Sequence, residues 1–120
     1  MKKFVFTLEK VLNYKQQVLE VKKNEMAQLQ ASLSELDEEI RALEFRSREL
    51  SRQLAARLRD GLATRDAVEC KGFQSELIRK IRQLCEKKDQ LLELISLKRQ
   101  EIVRMNGAVS YTHLRAHETR

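Results

Sequence analysis

The sequence predicts an all-α fold, a long two-helix antiparallel coiled-coil hairpin. Three observations carry the prediction. Charged residues make up 35% of the chain, proline is absent and only three glycines occur, the profile of long helices with a narrow apolar seam. Apolar residues recur at alternating steps of three and four over most of the length, which keeps one seam turned toward a partner helix. The repeat breaks once, at RDGLATRD, from Arg59 to Asp66. The chain therefore divides into a hairpin over residues 1–106, with helix one at about 7–59, a turn at about 60–64 and helix two at about 65–106, and a remainder at 107–120.

Helix one has a start signal at Thr7, whose hydroxyl can cap the first turn while Phe6 packs on Val11 as a hydrophobic staple. From Met26 the seam runs through Leu29, Leu33, Leu36, Ile40, Leu43, Leu50 and Leu54, interrupted only by Ser47. Nearer the start the stripe is wider: Val11 and Val18 run beside Leu12 and Leu19, with Tyr14 and Val21 close by. Two adjacent rows fit either more than one partner or a broader seam. At 1.5 Å rise per residue, helix one is roughly 80 Å long.

The turn follows from Gly61, which can take the left-handed conformation that ends a helix, and Thr64, which can cap the next one. Helix two carries its seam at Leu77, Ile81, Leu84, Leu91, Ile95, Ile102 and Met105, with Lys88 and Lys98 on the same positions. Ile78, Cys85 and Leu92 form a parallel row. Two heptad helices joined by a short turn fold back antiparallel. With the turn centred near Leu62, Met105 is expected opposite Leu19, which leaves Phe4 to Val18 uncovered. Helix two is therefore expected to be cut short. The ending VSYTHLRAHETR lacks an apolar heptad repeat. It resembles a string translated from sequencing-adaptor DNA, so residues 107–120 are expected to be a disordered or artefactual tail, not native to the protein.

Charge and composition narrow the function classes. Twenty-four Lys and Arg against 18 Asp and Glu give +6 and a pI near 9.5, a balance that favours anionic partners. The cations alternate with carboxylates, however, as in Asp37–Arg41, Glu44–Arg48 and Glu76–Lys80, at the spacing of pairs on a solvated helix face. No apolar run approaches a membrane span, and MKKFVFTLEK is no signal peptide. Cys70 and Cys85 lack metal or redox spacing, and two reduced thiols suit a cytosolic protein. His113 and His117 stand four apart but have no cysteine and only Glu118 beside them, so no metal is expected. With no phosphate loop, no nucleophile–base pair and no concave site, the chain is expected to be non-catalytic, with no cofactor and no small-molecule substrate.

The segment KFVFTLEKVLNYKQQVLEVKKNEMAQLQ, the turn DGLAT and the run FQSELIRKIRQLCEKKDQLL together resemble the FliJ family of bacterial flagellar export proteins. The resemblance covers Met1 to Asn106 and rests most on Phe4, Phe6, Leu8, Val11, Leu12 and Tyr14, and on the turn Gly61–Thr64. It implies a two-helix stalk, similar to that of rotary ATPases, whose open end enters the ring of the flagellar export ATPase. Leu8, Val11, Leu12, Tyr14 and Val18 would make that ring contact. It also implies binding to the cytoplasmic domain of the export gate and to the chaperones that escort export substrates. Phe73 and Leu77 match the gate-facing surface in type and position, whereas Lys80 and Leu84 depart from it. The implied setting is type III protein export in flagellum biogenesis and motility, in the cytoplasm, peripheral to the inner face of the membrane at the flagellar base.

Residue logic agrees that Phe73 offers more surface than a two-helix seam needs, as interface anchors do; the alternative is packing near Ser51 on helix one. Arg46, Arg48, Arg52, Arg57 and Arg59 suit either an acidic surface or a solvated flank. Two other functions compete. A basic helical hairpin can bind nucleic acid, but Glu35, Asp37, Glu38, Glu39, Glu44 and Glu49 interrupt any basic face on helix one, so no specific nucleic acid is expected. A generic coiled-coil adaptor needs only the seams, and the uncovered stripe from Phe4 to Val21 can drive self-association.

Overall fold

In the computed structural model the described residues are 2–61 and 63–118, with the side chains of 64 and 116–118 excepted. They form two helices, α1 (Lys2–Arg59) and α2 (Thr64–Glu118), paired as an antiparallel coiled-coil hairpin. No proline interrupts either helix, and the long straight-chain residues that fill both lose little rotamer freedom there. The helical residues group into two units: residues 32–91 around the turn, and residues 2–31 with 92–118.

In the turn unit α1 ends as its sequence dictates. The Asp60 amide donates to the Ala56 and Arg57 carbonyls and the Gly61 amide to Leu58, while Gly61 has φ 87°. This is the left-handed position that glycine reaches without a Cβ penalty. Arg57 and Arg59 in the last turn of α1, and Asp66 in the first turn of α2, complement the helix dipoles. The expected turn centre, Leu62, and the Thr64 side chain lie outside the described residues. Ile40 and Leu54 of α1 and Leu77 and Leu84 of α2 are buried in the seam. Lys88 Nζ meets Asp37 Oδ1 at 2.7 Å and the Gln74 amide donates to the Ser51 hydroxyl; both cross between the helices. Asp37 therefore pairs across the seam, not with Arg41, and Glu76 pairs with Arg79 at 2.7 Å, not with Lys80.

In the second unit Leu12, Leu19 and Ile95 are buried, and so is Thr112, 5% exposed. Three polar contacts set the antiparallel register: Lys98–Glu25 at 2.5 Å, Lys22–Glu101 at 3.0 Å and Lys15–Thr112 at 3.1 Å.

Two expectations fail here. The first concerns where α1 begins: the helix starts at Lys2, not near residue 7. The Thr7 hydroxyl donates to the Lys3 carbonyl at 2.8 Å, a bond made inside a helix, so Thr7 is no cap. Phe6 is exposed and lies inside the helix, so it is not the residue before a cap that a staple needs. The second concerns the end of α2: it runs through Gly107 to Glu118, so residues 107–118 are helical, not disordered. The physical reason is register. From Ile102 and Met105 the steps of four and three reach Val109 and Thr112, half-buried and buried respectively. A lone glycine costs a helix about 1 kcal/mol and does not end it without a left-handed turn, and among glycines only Gly61 has positive φ. The residues around Leu12 and Lys15, expected to be bare, thereby gain a partner strip.

Candidate functional site

The ring-contact residues proposed from sequence separate by heptad position. Val5, Leu8, Leu12, Lys15, Leu19 and Lys22 follow the steps of a seam. Accordingly Leu12 is buried, 9% exposed, and Leu8 is half-buried. These two face the chain's own second helix. Val11 and Tyr14 point outward, Tyr14 with 68% of its surface free, and Val18 is half-buried at the seam edge.

A regularity emerges that the sequence reading saw only as a wider stripe. Phe4, Thr7, Val11, Tyr14, Val18 and Val21 are themselves spaced three, four, three, four and three apart. They form a second stripe along one flank of α1, next to the seam but not in it. Phe4, Val11, Tyr14 and Val21 are all exposed. Tyr111 of α2, also exposed, carries the Arg115 guanidinium 5.9 Å from its ring centre, and Lys10 lies 4.8 Å from that of Phe6.

A four-charge cluster fixes which faces of the two helices share this flank. Lys98 Nζ contacts Glu25 at 2.5 Å and Glu101 at 3.7 Å, while Lys22 Nζ contacts Glu101 at 3.0 Å and Glu25 at 4.0 Å. Glu25 lies seven residues after Val18 on the same row, and Glu101 three before Arg104. Both carboxylates reach the same two lysines, so their rows lie on one side of the seam. The hydrogen bond from Lys98 holds the Glu25 carboxyl below the usual carboxylate range, the bond from Lys22 does the same to Glu101, and the bond to Glu25 raises Lys98.

The gate-contact pair also divides. Leu77 is 7% exposed and belongs to the seam of the turn unit, while Phe73 keeps 50% of its surface free. The Ser51 hydroxyl accepts from Gln74, and the Phe73 ring faces the Arg46 guanidinium of α1 at 5.7 Å. With Glu76, Leu77, Arg79, Lys80 and Gln83 it lines an open depression along α2. The Arg46 contact was not foreseen, although it follows from placing Arg46 and Phe73 on the rows that flank the seam. Of the other turn-proximal cations, Arg52 is held by Glu49 at 2.6 Å.

Leu12 and Leu77 thus lie in the seam, while Val11 and Phe73 keep exposed surface beside it. Cys70 and Cys85 are half-buried free thiols, and the His117 side chain lies outside the described residues. Among the described residues no three His, Cys, Asp or Glu side chains gather to hold a metal, and no helix is long and apolar enough to cross a membrane. Compared with known proteins, the chain matches no family model, no curated protein and no solved structure.

Proposed function

We propose that this chain is a non-catalytic stalk of the bacterial flagellar type III export apparatus, seated in the export ATPase ring and linking it to the export gate and substrate chaperones. One observation carries the reading: Val11 and Tyr14 stand exposed on a heptad stripe that the hairpin's own seam does not use. Exposed apolar side chains in regular array are what a partner surface buries. Leu8, Leu12 and Val18 would support that contact from the seam side, and Phe73, backed by Leu77, would anchor the gate.

A hairpin in this role changes turnover in a ring by favouring one arrangement of its subunits, which is coupling between sites and not chemistry. The place of action would be the cytoplasm, at the inner membrane face of the flagellar base. The test is co-sedimentation with the assembled export ATPase and, separately, with the gate's cytoplasmic domain. Val11→Glu with Tyr14→Glu should remove the first association, and Phe73→Ala should weaken the second. Failure of the unmodified chain to sediment with the ATPase would reject the stalk reading and leave a coiled-coil adaptor.

A further inference from the structure

We propose that the four-charge cluster of the second unit is an ionic latch. Residues 12–25 and 98–112 open and close together as one element, and salt sets how often they open.

The seam of this unit is made for reversible closure. Along it α1 carries Leu12, Lys15, Leu19, Lys22 and Met26, and α2 carries Lys98, Ile102, Met105, Val109 and Thr112, so four of these ten positions are polar. Leu19 is buried yet sits between two lysines of its own helix. Closure therefore leans on Lys22–Glu101, Lys98–Glu25 and Lys15–Thr112, which cross from helix to helix. Glu25 and Glu101 keep 41% and 47% of their side-chain surface free, so dissolved ions reach and screen them.

The same four charges also have a second pairing. Lys22 lies 4.0 Å from Glu25 and Lys98 lies 3.7 Å from Glu101, each three residues along its own helix. When the helices part, each lysine keeps a carboxylate within its own helix, so no charge is left alone. Because both lysines reach both carboxylates, loss of one crossing pair weakens the other, and the two open together. The turn unit has no such fallback. Its Lys88 pairs across the seam with Asp37, but three and four residues away on α2 stand Leu84, Cys85, Leu91 and Leu92. Parted helices lose the packing that sustains most helical structure in water, so opening registers at the backbone amides.

The experiment is amide hydrogen exchange on the full chain, read by mass spectrometry at about 20 mM and about 1 M NaCl. Residues 12–25 and 98–112 should share one level of protection, about tenfold or more below that of residues 40–54 and 77–88. High salt should lower protection in the first two stretches roughly threefold or more and leave the others within about twofold. Lys22→Met with Lys98→Met puts apolar side chains in the seam and should raise protection at this end while removing its salt response. Circular dichroism checks that this variant is as helical as the unmodified chain. Lys88→Met should leave the salt response of residues 12–25 and 98–112 as it is. A common protection level for both units, unequal protection of 12–25 and 98–112, or a salt response that survives the double substitution would each overturn the latch. Neither the export ATPase nor the gate takes part in this assay, so its outcome is independent of the flagellar reading.

Discussion

Lys98 reaches across the seam to Glu25 with 2.5 Å between Nζ and Oε2, from a position where the heptad repeat would place an apolar side chain. Lys22 occupies the matching position on α1 and takes Glu101. Two lysines in one seam repel, and each is tolerated because a carboxylate lies within reach. Such a cluster adds less stability than apolar packing would, but it marks one register as correct. Slip the helices by a heptad and both lysines lose their cross-seam carboxylates, keeping only the longer pairs within their own helices.

The cluster predicts a pH profile. Glu25 and Glu101 titrate lower in the folded chain than in the unfolded one, so their contribution is full above the usual carboxylate range and is lost as pH falls through their lowered values. Lys98 and Lys88 are raised, so theirs is full below the usual lysine value and is lost as pH climbs through the raised ones. Thermal melts should therefore be flat near neutrality and decline below about pH 4. Lys98→Met should flatten the acid limb and reduce its sensitivity to salt. An unchanged acid limb in that variant would show that the cluster is not what titrates.

Seam positions should far outweigh outward ones. Leu84 and Ile95 are buried, and their replacement by Ala should each cost about 2–3 kcal/mol, the lower part of the range because a two-helix seam covers a side chain on fewer sides. Val103→Ala, at an exposed position, should stay within about 0.5 kcal/mol. Urea titrations followed by circular dichroism give both values.

Glycines should respond with opposite signs. Gly61→Ala puts a Cβ at φ 87° and should destabilise by about 1–2 kcal/mol. Gly107 lies inside α2 with open space where a Cβ would stand, so Gly107→Ala should stabilise by about 0.5–1 kcal/mol. It should also slow amide exchange around Val109 and Thr112. Faster exchange there would contradict a continuous α2.

Phe73→Ala should barely change stability, by about 1 kcal/mol or less, since what it loses is mainly the Arg46 contact. Under the proposed function it should nonetheless reduce affinity for the gate's cytoplasmic domain about tenfold, read by isothermal titration.

Much of this was legible in the sequence, and the misreadings have physical causes. The seam from Met26 to Leu54 and the turn at Gly61 stood out because leucine, isoleucine and a left-handed glycine are strong signals. The same repeat runs back to Val5, but Lys15 and Lys22 occupy two of its positions and hide it from a count of apolar residues. Thr112 hides the other end in the same way: a threonine is counted as polar, yet here its hydroxyl bonds the Ala108 carbonyl and receives Lys15. Read as seam positions, those residues would have placed Leu12 inside the hairpin and left Val11 and Tyr14 outside. Helix starts are equally deceptive, since Thr7 satisfies a cap pattern while no breaker stops α1 from beginning at Lys2.

Under the proposed function, the exposed Val11–Tyr14 flank couples this hairpin to an ATPase ring. The direct measurement is steady-state ATP turnover by the assembled flagellar export ATPase, alone, with the chain, and with the chain carrying Val11→Ser and Tyr14→Ser. The unmodified chain should stimulate turnover and the variant should not, both being equally helical. Turnover indifferent to the chain, or stimulated alike by both forms, would contradict that coupling.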